Sequence, residues 1–410
     1  MMELFGSFSE KSERVTSSSL EDMISASKGI FGFTFVKDGR LFIWGSNTEG
    51  QLGNGTRNDS FSPIDLSESF TLINGERILK AYLGSYHCVA LTSGNRIFSW
   101  GSNNECQIGD GTNTDRLQPK EITSKFKLHE EEQIIDLFVG GFHSAILTSE
   151  NRLFLWGYNN CGQLGTGDKT DRKEPIDITK KLNLYSDEKL VEVSLGHFHS
   201  SILTSRHRVL MWGSNTSNEI GIFTPEKNIL FPTDVTKHFH LDNDDFIKLI
   251  RCGTLYSGAL STKGKVFLWG ENNYGQLGDG TRILKCSPKD ISERFQLENG
   301  EQIIDLHIRD YHSAVLTSKG RLYMWGLGGD GQLGNGFQNS FFPSHHKEVK
   351  LPLQPLEKVH MISLGRNYSA AFTTHGHFFV WGAQYYLAGQ QLKSNKISHP
   401  TLMIDLKKGQ

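Results

Sequence analysis

Short apolar runs of strand length follow one another along this chain, and each is cut off by glycine, asparagine, aspartate or serine. The stretch from 134 to 179 is typical: IIDLFV, HSAILTS, RLFLWG and EPIDIT, with polar turns between. Runs of four to eight residues punctuated by turn formers predict β-strands, and a 3.6-residue helical period is not sustained anywhere. The same four-run unit returns along the chain. All seven tryptophans precede a glycine, at Trp44, Trp100, Trp156, Trp212, Trp269, Trp325 and Trp381, with spacings of 56 residues and once 57. A proline follows each by 18 to 20 residues, at Pro63, Pro119, Pro175, Pro232, Pro288, Pro343 and Pro400.

Between these two markers lies a glycine-rich turn. It reads GQLGNGT at 50–56, CQIGDGT at 106–112, GQLGTGD at 162–168, GQLGDGT at 275–281 and GQLGNGF at 331–337. The fourth copy degrades to NEIGIFT at 218–224, and the seventh to YYLAGQQ at 385–391. Five near-copies mark a structural turn rather than a phosphate loop, which would open a helix after a strand. One four-stranded sheet cannot bury both faces alone, so neighbouring units must stack. Seven such units predict an all-β fold, a seven-bladed β-propeller of four-stranded blades. The ring is expected to span 21–410. Residues 1–20, polar and serine-rich, are expected to be a disordered lead or a strand that helps close the ring.

Composition narrows the function. Net charge is -2 over 410 residues, so no strong field attracts nucleic acid or an anionic membrane. The five cysteines, Cys88, Cys106, Cys161, Cys252 and Cys286, are odd in number, widely spaced and without a CxxC pair. This argues against a disulfide framework or a zinc site and fits an intracellular protein, cytoplasmic or nuclear. No apolar run approaches a membrane span, and the first twenty residues lack the basic-then-apolar order of a secretory leader. No nucleophile triad, paired carboxylates or metal-ligand spacing rises above the repeat. No cofactor and no metal are expected.

The pattern G-x-x-H-S…L-T…G-x-L-F-x-W-G-x-N-x-x-G-Q-L-G-x-G resembles the regulator of chromosome condensation repeat family, and the third unit carries nearly all of it between 140 and 167. The resemblance implies a seven-bladed propeller whose chain ends usually meet within one blade. The founding member is a guanine-nucleotide exchange factor for the nuclear GTPase Ran and also binds nucleosomes. Other members are binding modules, ubiquitin ligase segments or regulators of other small GTPases. In exchange-factor members, acidic and histidine side chains of the loops before the G-x-x-H strands line the GTPase-binding face, and one divergent blade loop projects as a wedge.

In this chain His87, His143, His199 and His312 repeat in one slot, with Tyr256 and Tyr368 in two other units. A repeated slot reads as scaffold, its ring nitrogens expected to satisfy backbone groups within the blade. The variable residues beside it are the candidates for a partner-binding face: Tyr86, Phe142, His197, Phe198, Leu255, Arg309, Asp310, Tyr311 and Arg366, with Phe31 in the first unit. Aromatic groups and arginine are what interface centres favour. The resemblance makes Ile222 and Phe223, in the degenerate fourth turn, the expected counterpart of the wedge, the alternative being simple drift of one repeat. Asp310 is the only acid in the G-x-x-H loops, which weakens the exchange reading. The expectation is a monomeric protein-interaction propeller that binds a small GTPase, with guanine-nucleotide exchange as the activity the resemblance implies. The alternative is a non-catalytic scaffold for an unrelated protein partner on the same face. Neither nucleic acid nor membrane is favoured as a partner.

Overall fold

The computed structural model describes residues 32–336, 346, 348–383 and 396–405. They form seven antiparallel sheets around a ring, in which each sheet is one continuous stretch of chain with its strands in sequence order. The third blade shows the plan: Ile134–Val139 innermost, then His143–Thr148, Leu153–Gly157 and Arg172–Asp177 outermost. The first blade has three strands among the described residues, Gly32–Lys37, Arg40–Gly45 and Ser60–Asp65. The candidate residue Phe31 and the lead 1–20 lie outside the described residues.

Burial explains the composition of each run. The second strands, such as His87–Thr92 and His199–Thr204, are buried at every position because neighbouring blades cover both faces. Strands buried on two sides need continuous apolar or paired residues, and these runs have them. The outermost strands, such as Arg116–Glu121, are largely exposed and carry charges, which protects a sheet edge from pairing with another chain.

The tryptophan and glycine-turn registers lock to each other across the blade seams. Trp100, Trp156, Trp212, Trp269, Trp325 and Trp381 each donate Nε1–H to the turn of the preceding blade, to the carbonyls of Gln51, Gln107, Gln163, Glu219, Gln276 and Gln332, at 2.8–3.0 Å. The indole also covers the glycine two residues further on. At Gly165, where φ is 70°, an added Cβ would lie 2.9 Å from the Trp212 Nε1. A side chain there meets both backbone strain and a clash, so the spacing of 56 residues is enforced by contact.

The ring closes between the seventh and first blades. Tyr368 donates its hydroxyl to the Gly32 carbonyl at 2.9 Å, and Phe33 packs on Tyr368 and Phe378. The described strands of the seventh blade all come from Val359–Asp405, so no described blade mixes strands from the two ends of the chain. The family resemblance implied such mixing. Among the described residues, aromatic packing of the first blade on the seventh joins the two.

Candidate functional site

The loops joining innermost to second strands, with the sequence G-x-x-H, emerge on the same face as the glycine-rich turns. One hydrogen bond in each of the second to seventh blades ties the two loop types. The residue after each Trp-Gly pair donates its N–H to the carbonyl of the third G-x-x-H residue: Ser102 to Tyr86, Tyr158 to Phe142, Ser214 to Phe198, Glu271 to Leu255, Leu327 to Tyr311 and Ala383 to Asn367, at 2.8–3.0 Å. Each of these six loops is therefore held in the same pose, and its two variable positions take the same places from the second blade to the seventh.

The repeated histidines are scaffold, but their partners lie across the seam rather than within the blade. Nε2 of His87, His143, His199 and His312 bonds the serine hydroxyl of the next blade: Ser144, Ser200, Ser257 and Ser369, at 2.7–3.0 Å. Ser200, Ser257 and Ser369 pass their own protons to Gln163, Glu219 and Gln332 carbonyls. Each of these serines must therefore accept from its histidine, which fixes the Nε2–H tautomer there. Nδ1 of all four histidines has no hydrogen-bond partner. Burial drives His87, His143 and His199 down to about 3 and His312 to about 4. The sequence expectation of bonding within the blade missed this because the partner stands 57 or 58 residues away. Tyr256 reaches further, to the Arg309 and His312 carbonyls and the Ser313 hydroxyl.

In the second to seventh blades the first variable position is Ser85, Gly141, His197, Thr254, Asp310 and Arg366, and four of these side chains, Ser85, His197, Thr254 and Asp310, come together. Ser85 Oγ lies 3.4 Å from His197 Nε2, which lies 3.5 Å from Asp310 Oδ1, and the Thr254 hydroxyl donates to Asp310 Oδ1. These contacts join the second blade to the fourth, and the fourth to the sixth. Contacts that skip a blade require proximity to the ring axis. Gly141 makes room for the cluster, since a Cβ there would stand 2.8 Å from the His197 ring. Serine and aspartate meet the same ring nitrogen, so the histidine cannot accept from one while donating to the other through opposite edges. The set is not a hydrolytic triad. Burial lowers His197 to about 4 against the pull of Asp310, leaving it neutral at pH 7. Burial opposes ionisation of Asp310 too, but neighbouring cationic charge and the Thr254 hydroxyl outweigh it and keep the carboxylate below its ordinary value. Among the sequence candidates, His197, Arg309 and Asp310 are thus buried, while Arg366 is exposed.

The second variable position forms a half-exposed rim. Phe142 stacks on Phe198 with centroids 5.6 Å apart, and Tyr86 lies 5.8 Å from Phe142. Tyr158 adds a fourth ring, 6.1 Å from Phe142 and 6.2 Å from Phe198. Across the ring, Tyr311 packs 4.9 Å from Tyr274, and Leu255 is half-buried between the two groups in ring order. In the fourth turn the two candidates part company. Ile222 packs against the core between the fourth and fifth blades, while Phe223 is 88% exposed.

Tyr158, Tyr274, Ser85 and Thr254 were not singled out from the sequence. The position after Trp-Gly, which reads Ser, Ser, Tyr, Ser, Glu, Leu, Ala around the ring, carried the available signal for Tyr158. Elsewhere among the described residues, His129, Glu132 and Glu150 approach one another at the opposite end of the blades. Glu132 is engaged there by Arg152 at 2.7 Å, an arrangement that Arg96 with Glu76 and Arg208 with Glu188 repeat. The cluster belongs to the scaffold.

The family model described as the RCC1-like domain matches residues 40–409. The ultraviolet-B receptor UVR8 of Arabidopsis thaliana is 29% identical over 296 residues, covering 72% of this chain and 62% of UVR8. The human E3 ubiquitin-protein ligase HERC2 is 26% identical over 367 residues, covering 88% of this chain and 7% of HERC2. The chain thus spans less than two thirds of either relative. Among solved structures, Prp20p of Saccharomyces cerevisiae, described with its binding to Gsp1p and histones, superposes with a TM-score of 0.74 at 22% identity over 89% of this chain and 86% of that one. At that identity the likeness is one of fold.

Proposed function

This chain belongs to the RCC1-like family, and from that premise we propose that it is a protein-interaction propeller whose G-x-x-H loop face docks a small GTPase. The observation that carries this reading is the rim of half-exposed rings, Tyr86, Phe142, Phe198 and Tyr158, in contact with one another on a rigid ring. Aromatic groups fixed by backbone hydrogen bonds lose little entropy on binding and suit the centre of an interface. The binding of Prp20p to Gsp1p supports a GTPase as the first class of partner to test.

Docking is better supported than nucleotide release. Asp310, the single acid of the G-x-x-H loops, is 3% exposed, with Oδ1 engaged by Thr254 and His197 and Oδ2 buried without a hydrogen-bond partner. It is not presented to a partner as an exchange factor's acidic loop would be. Binding and nucleotide release, measured together on Ran-, Rab-, Rho- and Arf-type GTPases, test the reading. The expected result is association with at least one class, with little acceleration of release. Absence of association across the panel refutes it and leaves the scaffold for an unrelated partner.

A further inference from the structure

Arg309 stands where the second, third, fourth, fifth and seventh blades have glycine. Its side chain is 6% exposed, and neither Nε nor Nη2 has a hydrogen-bond partner. A buried guanidinium edge without partners is costly, and buried arginines are normally paired. Burial lowers its affinity for the proton, with Asp310 acting in the opposite direction. Nε–H and Nη2–H are the two donors on one edge of the guanidinium, the pair that grips a carboxylate with two parallel hydrogen bonds. The next loop in the ring supplies Arg366, exposed and within electrostatic reach of His197 and Asp310.

We propose that the axial mouth of the loop face receives a carboxylate, the side chain of an aspartate or glutamate on the docked protein. Arg366 meets it at the surface and the Nε–Nη2 edge of Arg309 holds it on insertion. The charge count selects the ligand. Among the groups that act on Asp310, Arg309 and Arg366 supply two positive charges and His197 none at pH 7, against the one negative charge of Asp310, leaving one unbalanced positive charge. A carboxylate cancels it, whereas a phosphate dianion would leave buried negative charge beside Asp310. Glu271, whose charge acts on Tyr256 and Tyr311, accepts hydrogen bonds from Asn273 and Gln276. The inference deepens the docking reading and rests on it for the source of the carboxylate.

The test uses the full chain and capped tripeptides, Ac-Gly-Glu-Gly-amide, Ac-Gly-Gln-Gly-amide and Ac-Gly-phosphoserine-Gly-amide, followed by the Nε–Hε resonance of Arg309. The expected result is a saturable shift with the glutamate peptide, with affinity about tenfold above the glutamine peptide and above the phosphoserine peptide. Arg366→Gln, a surface change that leaves thermal stability intact, should remove most of that preference. Equal response to glutamate and glutamine overturns the proposal. A stronger response to phosphoserine, or a preference that survives Arg366→Gln, overturns it as well. These outcomes are separable from the docking reading, which stands or falls on the aromatic rim and on binding of a whole protein.

Discussion

The four buried histidines give the ring a defined response to acid. Their folded-state values lie near 3 to 4, while an unfolded histidine titrates near 6.5. The unfolded chain therefore binds protons that the folded chain refuses. Stability is full above about pH 6.5 and falls as pH drops towards 4, by about 1.4 kcal/mol per pH unit for each ring. Urea midpoints at pH 7, 6 and 5 should fall progressively. His143→Tyr, which copies the residue of the fifth and seventh blades, should make the decline shallower by one proton; an unchanged slope would remove His143 from the account. Ser200→Ala strips the partner from His143 Nε2 and should cost about 1–3 kcal/mol, read by the same denaturation. At this scale the sequence marked the histidines as scaffold through their recurrence. It did not reveal the bond to the next blade's serine, because contacts across a seam leave no local pattern in the chain.

The strands were legible because each apolar run is short, bounded by turn residues and repeated in register. Loop geometry was legible only in part. The interior of each G-x-x-H loop holds two adjacent variable residues, and a strand-like alternation of direction sends one to the axis and the other to the rim. The sequence placed both in a single face. The structure divides them: His197 and Asp310 bind across the axis, while Phe142, Phe198 and Tyr311 remain half-exposed. The fourth turn divides in the same way, because Ile222 has core to pack against and Phe223 has none. Phe223→Ser should therefore change stability by less than about 0.5 kcal/mol. If the turn acts as a wedge, the same substitution weakens partner binding; a large drop in melting temperature would instead mean that the ring is packed in the folded protein.

The whole ring depends on one joint that no internal repeat supplies. Between other blades the chain runs on, but among the described residues the seventh and first are joined by packing and by the Tyr368 hydroxyl on Gly32. Tyr368→Phe deletes that bond, at a cost of about 1 kcal/mol. Hydrogen exchange should then accelerate first in Gly32–Lys37 and its partner strand Arg40–Gly45; uniform acceleration around the ring would contradict this account of closure. A ring tied by indole–turn hydrogen bonds at six seams, and by histidine–serine bonds at four of them, presents its loop face with little reorganisation, and the proposed function rests on that rigidity. The most direct test is equilibrium binding of Ran-, Rab-, Rho- and Arf-type GTPases to the wild-type chain and to Phe142→Ala/Tyr311→Ala, with equal folding checked by thermal denaturation. The account predicts that at least one GTPase binds the wild type and loses about tenfold or more in affinity for the variant. Binding unchanged by the double substitution, or no binding by any of the four classes, would contradict it.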